Sequence, residues 1–471
     1  MADVEWEIAL RPNSAAQRAQ IAQRVIAAVE AAAAPGVLDL QSDPVLAKEV
    51  HSARATVRGG AEPWSVHSAA AASKQRAARA PGGAAQTKVF VHPLYDEGPT
   101  DEYTDGMAGS EEENIAWTQT LLPAASLDGH WESLLFEAAV KHKLLAYARS
   151  ALAFSTARVD SHLVSCHRLL LLHGPPGTGK TSLCRALSHK LLARSSEQFA
   201  QGQLIELNAH SLFSKWFSES GKLVGAVFAK VRELLDDSQS FVAVLVDEVE
   251  SLAASRAAAL NGSEPSDAVR VVNAVLTQLD SLKAYPNVLV LATSNITAAL
   301  DAAFADRADL SLYIGLPEIK ARYCILASCV AELARAQVLD EFRPPGDFDV
   351  LAPLVPAGGL DLPAIQRLAA QLQGMGLDGM QIDGESGLTA EHASAAFRLS
   401  LMLYMLAQST GGWSGRSLRR LPLLAHAEAG GEGRLEYAHF LLAMHAAVQS
   451  RDNDASKFEP AGGQQAPVER G

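Results

Sequence analysis

The sequence predicts an α/β fold in which a parallel sheet is covered by helices on both faces. The first observation is a series of short apolar runs that alternate with helical patterns. Such runs are typical of parallel strands that are buried on both faces. The second observation is that these runs stop at Pro317 and only helical patterns follow. We therefore expect a large α/β domain over residues 126–316 and an all-helical lid domain over residues 317–449.

Residues 1–125 are expected to form a small α+β N-terminal domain. A helical pattern over residues 21–34 and the extended run Lys-Val-Phe-Val-His over residues 88–92 indicate its elements. Residues 52–86 are dominated by Ala, Gly, Ser and Arg, which predicts a low-complexity insert. Residues 96–113 are rich in Asp and Glu, and repulsion between these charges favours an exposed acidic loop over a helix or strand.

The large domain has a regular order of elements. Its predicted strands are residues 169–172, 204–207, 241–246 and 288–292. Helical patterns separate them, for example over residues 223–235 and 269–282. In the lid, Gly and Asp are frequent over residues 374–387, which predicts a loop, and residues 450–471 are polar and rich in Pro and Gly, which predicts a disordered tail.

Composition excludes several classes of protein. With 471 residues and 48% apolar content, the chain can form two or three packed domains. The net charge of −13 gives no overall electrostatic footprint for nucleic acid, so we expect no direct binding of it; a local basic channel is the alternative. No apolar run is long enough to span a membrane, and the acidic N-terminus is unlike a secretion signal. Four scattered cysteines indicate reduced thiols, as in the cytosol or the nucleus.

A phosphate-binding loop follows the first predicted strand. Residues 174–181 read Gly-Pro-Pro-Gly-Thr-Gly-Lys-Thr. Glycines let successive backbone N–H groups point at phosphate oxygens, while Lys180 can reach the β and γ phosphates and the Thr181 hydroxyl can ligate Mg²⁺. We therefore expect the chain to bind a nucleoside triphosphate. The residues expected to bind it are Gly174, Pro175, Pro176, Gly177, Thr178, Gly179, Lys180, Thr181 and Ser182.

Polar side chains follow two further predicted strands. Asp247 and Glu248 come directly after residues 241–246, where α/β sheets bind their ligands. Asp247 would hold Mg²⁺ through water, and Glu248 would polarise the water that attacks the γ-phosphate. Asn295 follows the strand at 288–292 and would help to orient that water. Together with the phosphate-binding loop, these residues predict an ATPase.

Two arginines are candidates for contact with the γ-phosphate. Arg307 follows the helical stretch after Asn295, from which it cannot easily reach its own nucleotide, so we expect it to act in trans on a neighbouring subunit. An ion pair within the chain, with Asp306 or Asp309, is the alternative. In the lid, Arg416 begins a helical pattern and could contact the γ-phosphate of its own subunit.

These residues resemble the AAA+ ATPases over residues 126–448. The shared features are the loop at 174–181, Asp247 and Glu248, residues 273–280, Asn295 and Arg307. Residues 202–222, 264–273 and 415–426 are similar to the pachytene checkpoint protein 2 (thyroid-receptor-interacting) family. The resemblance implies an AAA+ fold and a homohexameric ring that uses ATP and Mg²⁺. In that family the ring converts HORMA-domain proteins from a closed to an open form, in the spindle checkpoint and at the meiotic chromosome axis, with a HORMA adaptor presenting the checkpoint client.

The resemblance also implies how a client is handled. Trp216 lies where AAA+ remodellers project an aromatic residue into a central pore, so it would grip an extended polypeptide, and Phe217 would anchor the loop. Residues 253–267 are small and polar and form a second candidate pore loop. The N-terminal domain is expected to recognise the client or its adaptor, by analogy with the family.

Two other functions are compatible with an ATP-binding loop. One is a scaffold that is switched by nucleotide binding and needs no turnover, which the presence of Glu248, Asn295 and Arg307 disfavours. The other is a nucleic-acid-directed motor, which the acidic composition and Trp216 disfavour.

Overall fold

The computed structural model describes most of the chain in two compact units, residues 1–315 and 316–471. The described residues are 4–14, 16–31, 38, 40, 43–57, 87–103, 115–160, 163–208, 220–251, 267–295, 302–355, 361, 363, 365, 390–431 and 433–458. Each unit has its own architecture. Among the described residues, no helix is long and apolar enough to cross a membrane.

The first unit begins with a three-stranded sheet. Strand β1 (Val4–Leu10) lies at its centre, antiparallel to β2 (Val50–Val57) and parallel to β3 (Thr87–Pro93). Alternation along β1 places Trp6, Ile8 and Leu10 in a buried core, together with residues of helix α1 (Arg18–Ala31). Helix α2 (Pro44–Glu49) leads into β2, and the Asp43 side chain caps its N-terminus.

The predicted low-complexity insert over residues 52–86 is wrong at its start, because residues 52–57 belong to β2. The sequence argument counted only large apolar residues. In β2, the small residues Ala53 and Ala55 pack against the core, and pairing with β1 fixes the strand. Residues 58–86 lie outside the described part of the chain.

A seven-stranded sheet forms the centre of the first unit, in the order β10-β6-β9-β8-β7-β5-β4. Its strands are β4 (Thr100–Tyr103), β5 (Ile115–Leu122), β6 (Leu169–His173), β7 (Gln201–Asn208), β8 (Ser240–Asp247), β9 (Val288–Ser294) and β10 (Leu310–Tyr313). The five strands from β10 to β7 are parallel, while β5 and β4 are antiparallel additions at one edge.

Helices cover both faces of this sheet. After α1 and α2, the described helices of the first unit are α3 (His130–Ser133), α4 (Ala138–Thr156), α5 (Lys180–Arg194), α6 (Ser220–Leu235), α7 (Asp267–Ser281) and α8 (Ala302–Ala305). Along β8, Val242, Val244 and Val246 face α6 and α7, while Ala243 and Leu245 face α4 and α5. The predicted fold class is therefore confirmed, with a mixed rather than purely parallel sheet.

Two predictions about residues 96–125 are wrong. The acidic segment 96–113 contains strand β4, and both β4 and β5 extend the nucleotide-domain sheet, so the boundary at residues 125 and 126 is too late. Acidic residues are tolerated here because β4 is an edge strand, on which charge discourages pairing with other chains. Asp101 is exposed and accepts a hydrogen bond of 2.9 Å from the Thr118 hydroxyl of β5. Residues 104–114 lie outside the described part.

The second unit is predominantly helical. Its helices are α9 (Ile319–Arg335), α10 (Phe348–Leu351), α11 (Ala390–Ser409), α12 (Gly415–Glu428) and α13 (Tyr437–Phe458). A short parallel ladder between β11 (Leu339–Asp340) and β12 (Leu435–Glu436) corrects the expectation of an all-helical domain. Stacking of Phe348 on Tyr404, with ring centroids 5.3 Å apart, connects α10 to α11.

The predicted disordered tail also begins too early. Helix α13 continues to Phe458, and the guanidinium of Arg451 lies 4.0 Å from the ring centroid of Trp413. This cation–π contact ties the helix to the rest of the unit, which composition alone could not reveal. Residues 459–471 and the predicted loop at 374–387 lie outside the described residues.

Candidate active site

The phosphate-binding loop connects β6 to α5 and requires glycine at specific positions. Gly174 has φ +145° and Gly179 has φ +94°, backbone conformations that side chains oppose. A Cβ atom at position 174 would lie 2.2 Å from the carbonyl oxygen of Ile314. The glycines therefore allow the loop to turn tightly against β10 and lead into α5, and Ser182 lies in the first turn of this helix.

Lys180 is the first residue of α5 and is almost completely buried. Its Nζ donates hydrogen bonds to the carbonyl oxygens of Gly174 at 2.9 Å and Pro175 at 2.8 Å. The hydroxyl of Thr178 donates to the same Pro175 oxygen at 3.0 Å, closing the turn. Burial and the charge of Lys180 lower the pKa of His173, the last residue of β6, so this imidazole is neutral at pH 7. The loop thus surrounds a single positive charge.

The Thr181 hydroxyl and the Asp247 carboxylate meet at the carboxyl edge of the sheet. Thr181 Oγ1 lies 3.0 Å from Asp247 Oδ1 and 3.2 Å from Oδ2. The hydroxyl of Thr293, on β9 between β6 and β8, also donates to Asp247 Oδ1. Hydroxyl and carboxylate oxygens are the ligands that Mg²⁺ prefers. The donor set therefore fits the metal expected with ATP.

Glu248 follows Asp247 in a strained conformation. Its φ of +60° lies in the left-handed region, which is uncommon for residues other than glycine. Its backbone N–H donates to Thr293 Oγ1 at 3.3 Å, and the N–H of Val249 donates to the Thr293 carbonyl oxygen at 3.0 Å. The backbone therefore turns away from the direction of β8 at Glu248, the residue after Asp247.

Asn295 lies just beyond β9, and its Nδ2 donates a hydrogen bond of 2.9 Å to Glu250 Oε1. The sequence argument singled out neither Glu250 nor Thr293. A weak signal existed for Glu250, because it is a third acidic residue in the Asp-Glu-Val-Glu run. Thr293 could be recognised only from the register that aligns Val246 with Ala292, since this pairing brings the following residues of β8 and β9 together.

Arg307 forms an ion pair within its own chain, and its partner is Asp280, not Asp306 or Asp309 as in the alternative interpretation. Its Nε and Nη2 contact the Asp280 carboxylate at the end of α7, with Nη2 3.0 Å from Oδ2. Burial raises the pKa of Asp280, but hydrogen bonds from Arg307 and Lys283 outweigh it and lower the pKa overall. Asp309 instead accepts a hydrogen bond from Tyr147. The Arg307 side chain remains 29% exposed at this surface.

The other predicted residues belong to the second unit or lie outside the described chain. Arg416 belongs to the second unit, where it is the second residue of α12 and is exposed. The Ser414 hydroxyl caps this helix by accepting from the Ser417 N–H at 3.3 Å. Trp216, Phe217 and residues 253–266 of the second candidate pore loop lie outside the described residues.

Comparisons with known proteins agree with this architecture. The model for the ATPase family associated with various cellular activities (AAA) matches residues 170–316, and the TRIP13-like, AAA+ ATPase lid C-terminal domain matches residues 362–452. Pachytene checkpoint protein 2 homolog of Oryza sativa subsp. indica is 45% identical over 369 residues, covering 78% of this chain and 71% of the relative. The Xenopus tropicalis homolog is 42% identical over 384 residues, covering 81% and 80%.

A solved structure extends the similarity to the three-dimensional level. The structure of C. elegans PCH-2 matches with a TM-score of 0.67 and 26% sequence identity. The match covers 96% of this chain and 100% of the other.

Proposed function

Because the chain belongs to the pachytene checkpoint protein 2 family of AAA+ ATPases, we propose that it is a homohexameric ring that remodels HORMA-domain proteins. The chain is an ATP-hydrolysing enzyme of this family. In our proposal, hydrolysis supplies the work that converts a closed HORMA client to its open form. The family membership supports the ring and its client, and the observation that carries the hydrolytic step is the contact of Thr181 with Asp247, with Glu248 as the next residue.

The residues around the loop divide the chemistry of hydrolysis between them. Backbone N–H groups of residues 174–181 and the Lys180 ammonium would bind the phosphates. Thr181 and Asp247 would hold Mg²⁺, the latter through water. The metal, when bound, neutralises charge that develops on the phosphates.

Two side chains would act on the attacking water. Glu248 would polarise it, and the left-handed turn at this residue gives its backbone a direction different from that of the strand. Asn295 would orient the same water through its amide oxygen, because its amide nitrogen already donates to Glu250. Glu248 would thus act as the base, and Asn295, which its hydrogen bond to Glu250 holds in place, would position the water.

Two arginines would make hydrolysis depend on assembly and on the lid. We propose that Arg307 acts in trans, on the nucleotide of a neighbouring protomer, where its guanidinium stabilises charge in the transition state. Asp280 contacts Nε and Nη2 of Arg307, which fixes the direction of the side chain. Arg416, exposed at the start of α12, would contact the γ-phosphate of its own subunit and couple the lid to ATP.

Client handling would use the parts of the chain outside the nucleotide site. Trp216 would grip an extended client segment in the pore, with Phe217 supporting its loop. The N-terminal sheet, together with a HORMA adaptor, would select the client. We propose that the protein acts in the nucleus and cytoplasm, without direct contact to nucleic acid or membrane.

ATPase activity and client conversion, measured on the same samples, test this function. We expect a closed HORMA protein with its adaptor to stimulate the wild type. Trp216→Ala should lose conversion while it still binds ATP, and Trp216→Phe, the matched control, should retain part of the conversion because it keeps an aromatic ring. If Glu248→Gln converts clients as fast as the wild type, ATP binding alone suffices and the chain is a scaffold.

A further inference from the structure

A single residue of β9 contacts three consecutive residues of the turn that carries Glu248. The Thr293 hydroxyl donates to Asp247 Oδ1 and accepts from the Glu248 N–H at 3.3 Å. The Thr293 carbonyl oxygen accepts from the Val249 N–H at 3.0 Å. Thr293 is 2% exposed, so these bonds do not compete with bulk water.

The turn needs such support, because the backbone of Glu248 is in a conformation that it would not adopt by itself. A φ of +60° brings the Cβ atom close to neighbouring backbone atoms, and residues with long side chains rarely accept it. Strain of this kind persists only where the surrounding structure over-determines the backbone. Thr293 accepts two of the hydrogen bonds that fix this turn, one from the backbone N–H of Glu248 and one from that of Val249.

We propose that Thr293 is a positioning residue for ATP hydrolysis, which fixes Glu248 relative to Asp247. The inference rests on the proposed role of Glu248 as the group that polarises water. The hydroxyl is suited to this task because it has one proton and two lone pairs. It donates a hydrogen bond to the Asp247 carboxylate, so a lone pair is directed at the Glu248 N–H. One atom therefore couples the direction of the metal-binding carboxylate to the backbone of its neighbour.

The chemistry of the side chain predicts which substitutions matter. Valine has nearly the shape of threonine but lacks the hydroxyl, so Thr293→Val leaves the Glu248 N–H and Asp247 Oδ1 each without this partner. Serine keeps the hydroxyl and loses only a methyl group. Thr120 is also a buried threonine of the same sheet, on β5, and Thr120→Val controls for the loss of a buried strand hydroxyl.

The test compares kcat, KM and the affinity for a non-hydrolysable ATP analogue with Mg²⁺ in the full-length protein. For Thr293→Val we expect kcat to fall about 10- to 100-fold, because the turn is misplaced relative to the water. We expect the KM and the analogue affinity to stay within about threefold of wild type, since the phosphate-binding loop is untouched. Thr293→Ser should restore most of kcat, and Thr120→Val should match the wild type.

A crystal structure of Thr293→Val gives a readout that is independent of activity. We expect the φ of residue 248 to leave the left-handed region. If the valine variant does not fold, Thr293→Ser and Thr293→Ala form a second pair, because both lack the methyl group and only serine has the hydroxyl. An unchanged kcat in Thr293→Val or Thr293→Ala, or an unchanged left-handed turn, would overturn the inference.

Glu248→Gln separates this inference from the proposed function. If Glu248→Gln is inactive and Thr293→Val turns over normally, only the role of Thr293 is wrong. If Glu248→Gln hydrolyses ATP at the wild-type rate, the role of Glu248 fails, and the role of Thr293 fails with it.

Discussion

At the scale of single residues, Gly174 determines whether the phosphate-binding loop can form. Its φ of +145° disfavours any side chain, and a Cβ atom would lie 2.2 Å from a backbone oxygen of Ile314. Backbone cannot yield to this clash as the end of a flexible side chain could. At Gly174 the loop packs so closely against Ile314, the residue after β10, that no additional carbon atom fits between them.

Gly174→Ala should therefore weaken ATP binding. Moving β10 or the loop by the ångström or more that a Cβ requires misaligns the N–H groups that bind phosphate, so we expect the affinity to fall at least about tenfold. Calorimetric titration with an ATP analogue measures this change. Gly225→Ala is the matched control, because no atom beyond its own helix turn and chain neighbours lies within 4 Å of the Cβ position of this helical glycine. The control should bind normally and gain about 0.5–1 kcal/mol of stability. Equal binding by the two variants would contradict the geometry.

The residues of the site differ in how far the sequence predicts them. Lys180, Thr181, Asp247 and Glu248 follow from local motifs at strand ends, and the structure brings them to one edge of the sheet. Thr293 is different, because its role depends on a pairing between two strands that are far apart in the sequence. Thr293 and Asp247, which the hydrogen bond joins, are 46 residues apart. Local patterns contain no information on which residues face each other across such a pair.

At the scale of elements, α5 connects the nucleotide site to the N-terminal sheet. It begins at Lys180 in the phosphate-binding loop, and Lys190 near its other end is buried against β1. Lys190 Nζ lies 2.5 Å from Glu7 Oε2 and 2.6 Å from Glu132 Oε1, and Arg194 also contacts Glu7. The helix is therefore held by buried ion pairs at the end opposite to its nucleotide-binding end.

Charge keeps this cluster ionised. Burial raises the pKa of Glu7, but Lys190 and Arg194 outweigh burial and lower it to about 2, from an ordinary value of 4.5. A carboxylate with a lowered pKa in the folded state contributes stability above its unfolded pKa. That contribution is lost as the pH falls from 4.5 through about 2.

Lys190→Met should destabilise the first unit by about 3–5 kcal/mol, because it leaves the buried carboxylate of Glu7 short of a cation and removes the partner of the partly exposed Glu132. Thermal or denaturant unfolding at pH 7 measures the loss. Lys230→Met is the matched control, since the exposed pair of Lys230 with Glu233 contributes at most about 0.5 kcal/mol. Comparable stability of the two methionine variants would rule out the buried cluster as a support of α5.

The elements that the sequence mispredicted lie where tertiary pairing decides the conformation. Strand β4 is acidic and short, and β2 begins in a run of small residues. Both are strands because a neighbour, β5 or β1, offers an unpaired edge. The interior strands β6, β8 and β9 are apolar on both faces, so composition alone predicts them.

At the scale of the whole molecule, the account requires that neighbouring protomers share each nucleotide site. Glu248 would act on the nucleotide of its own chain. Arg307, which is bound to Asp280 and partly exposed, would act on the nucleotide of a neighbour. A protomer without Glu248 can then still supply Arg307, and a protomer without Arg307 can still use Glu248. The two defects complement each other only if the site lies between chains.

Client conversion by rings that contain both Glu248→Gln and Arg307→Ala protomers tests this claim most directly. The two chains carry different affinity tags, so purification on both tags isolates mixed assemblies. We predict that rings of either variant alone are inactive, and that mixed rings recover hydrolysis and conversion of a closed HORMA protein. Mixed rings that stay inactive, a fully active Arg307→Ala protein, or failure to recover any assembly on both tags would contradict the account.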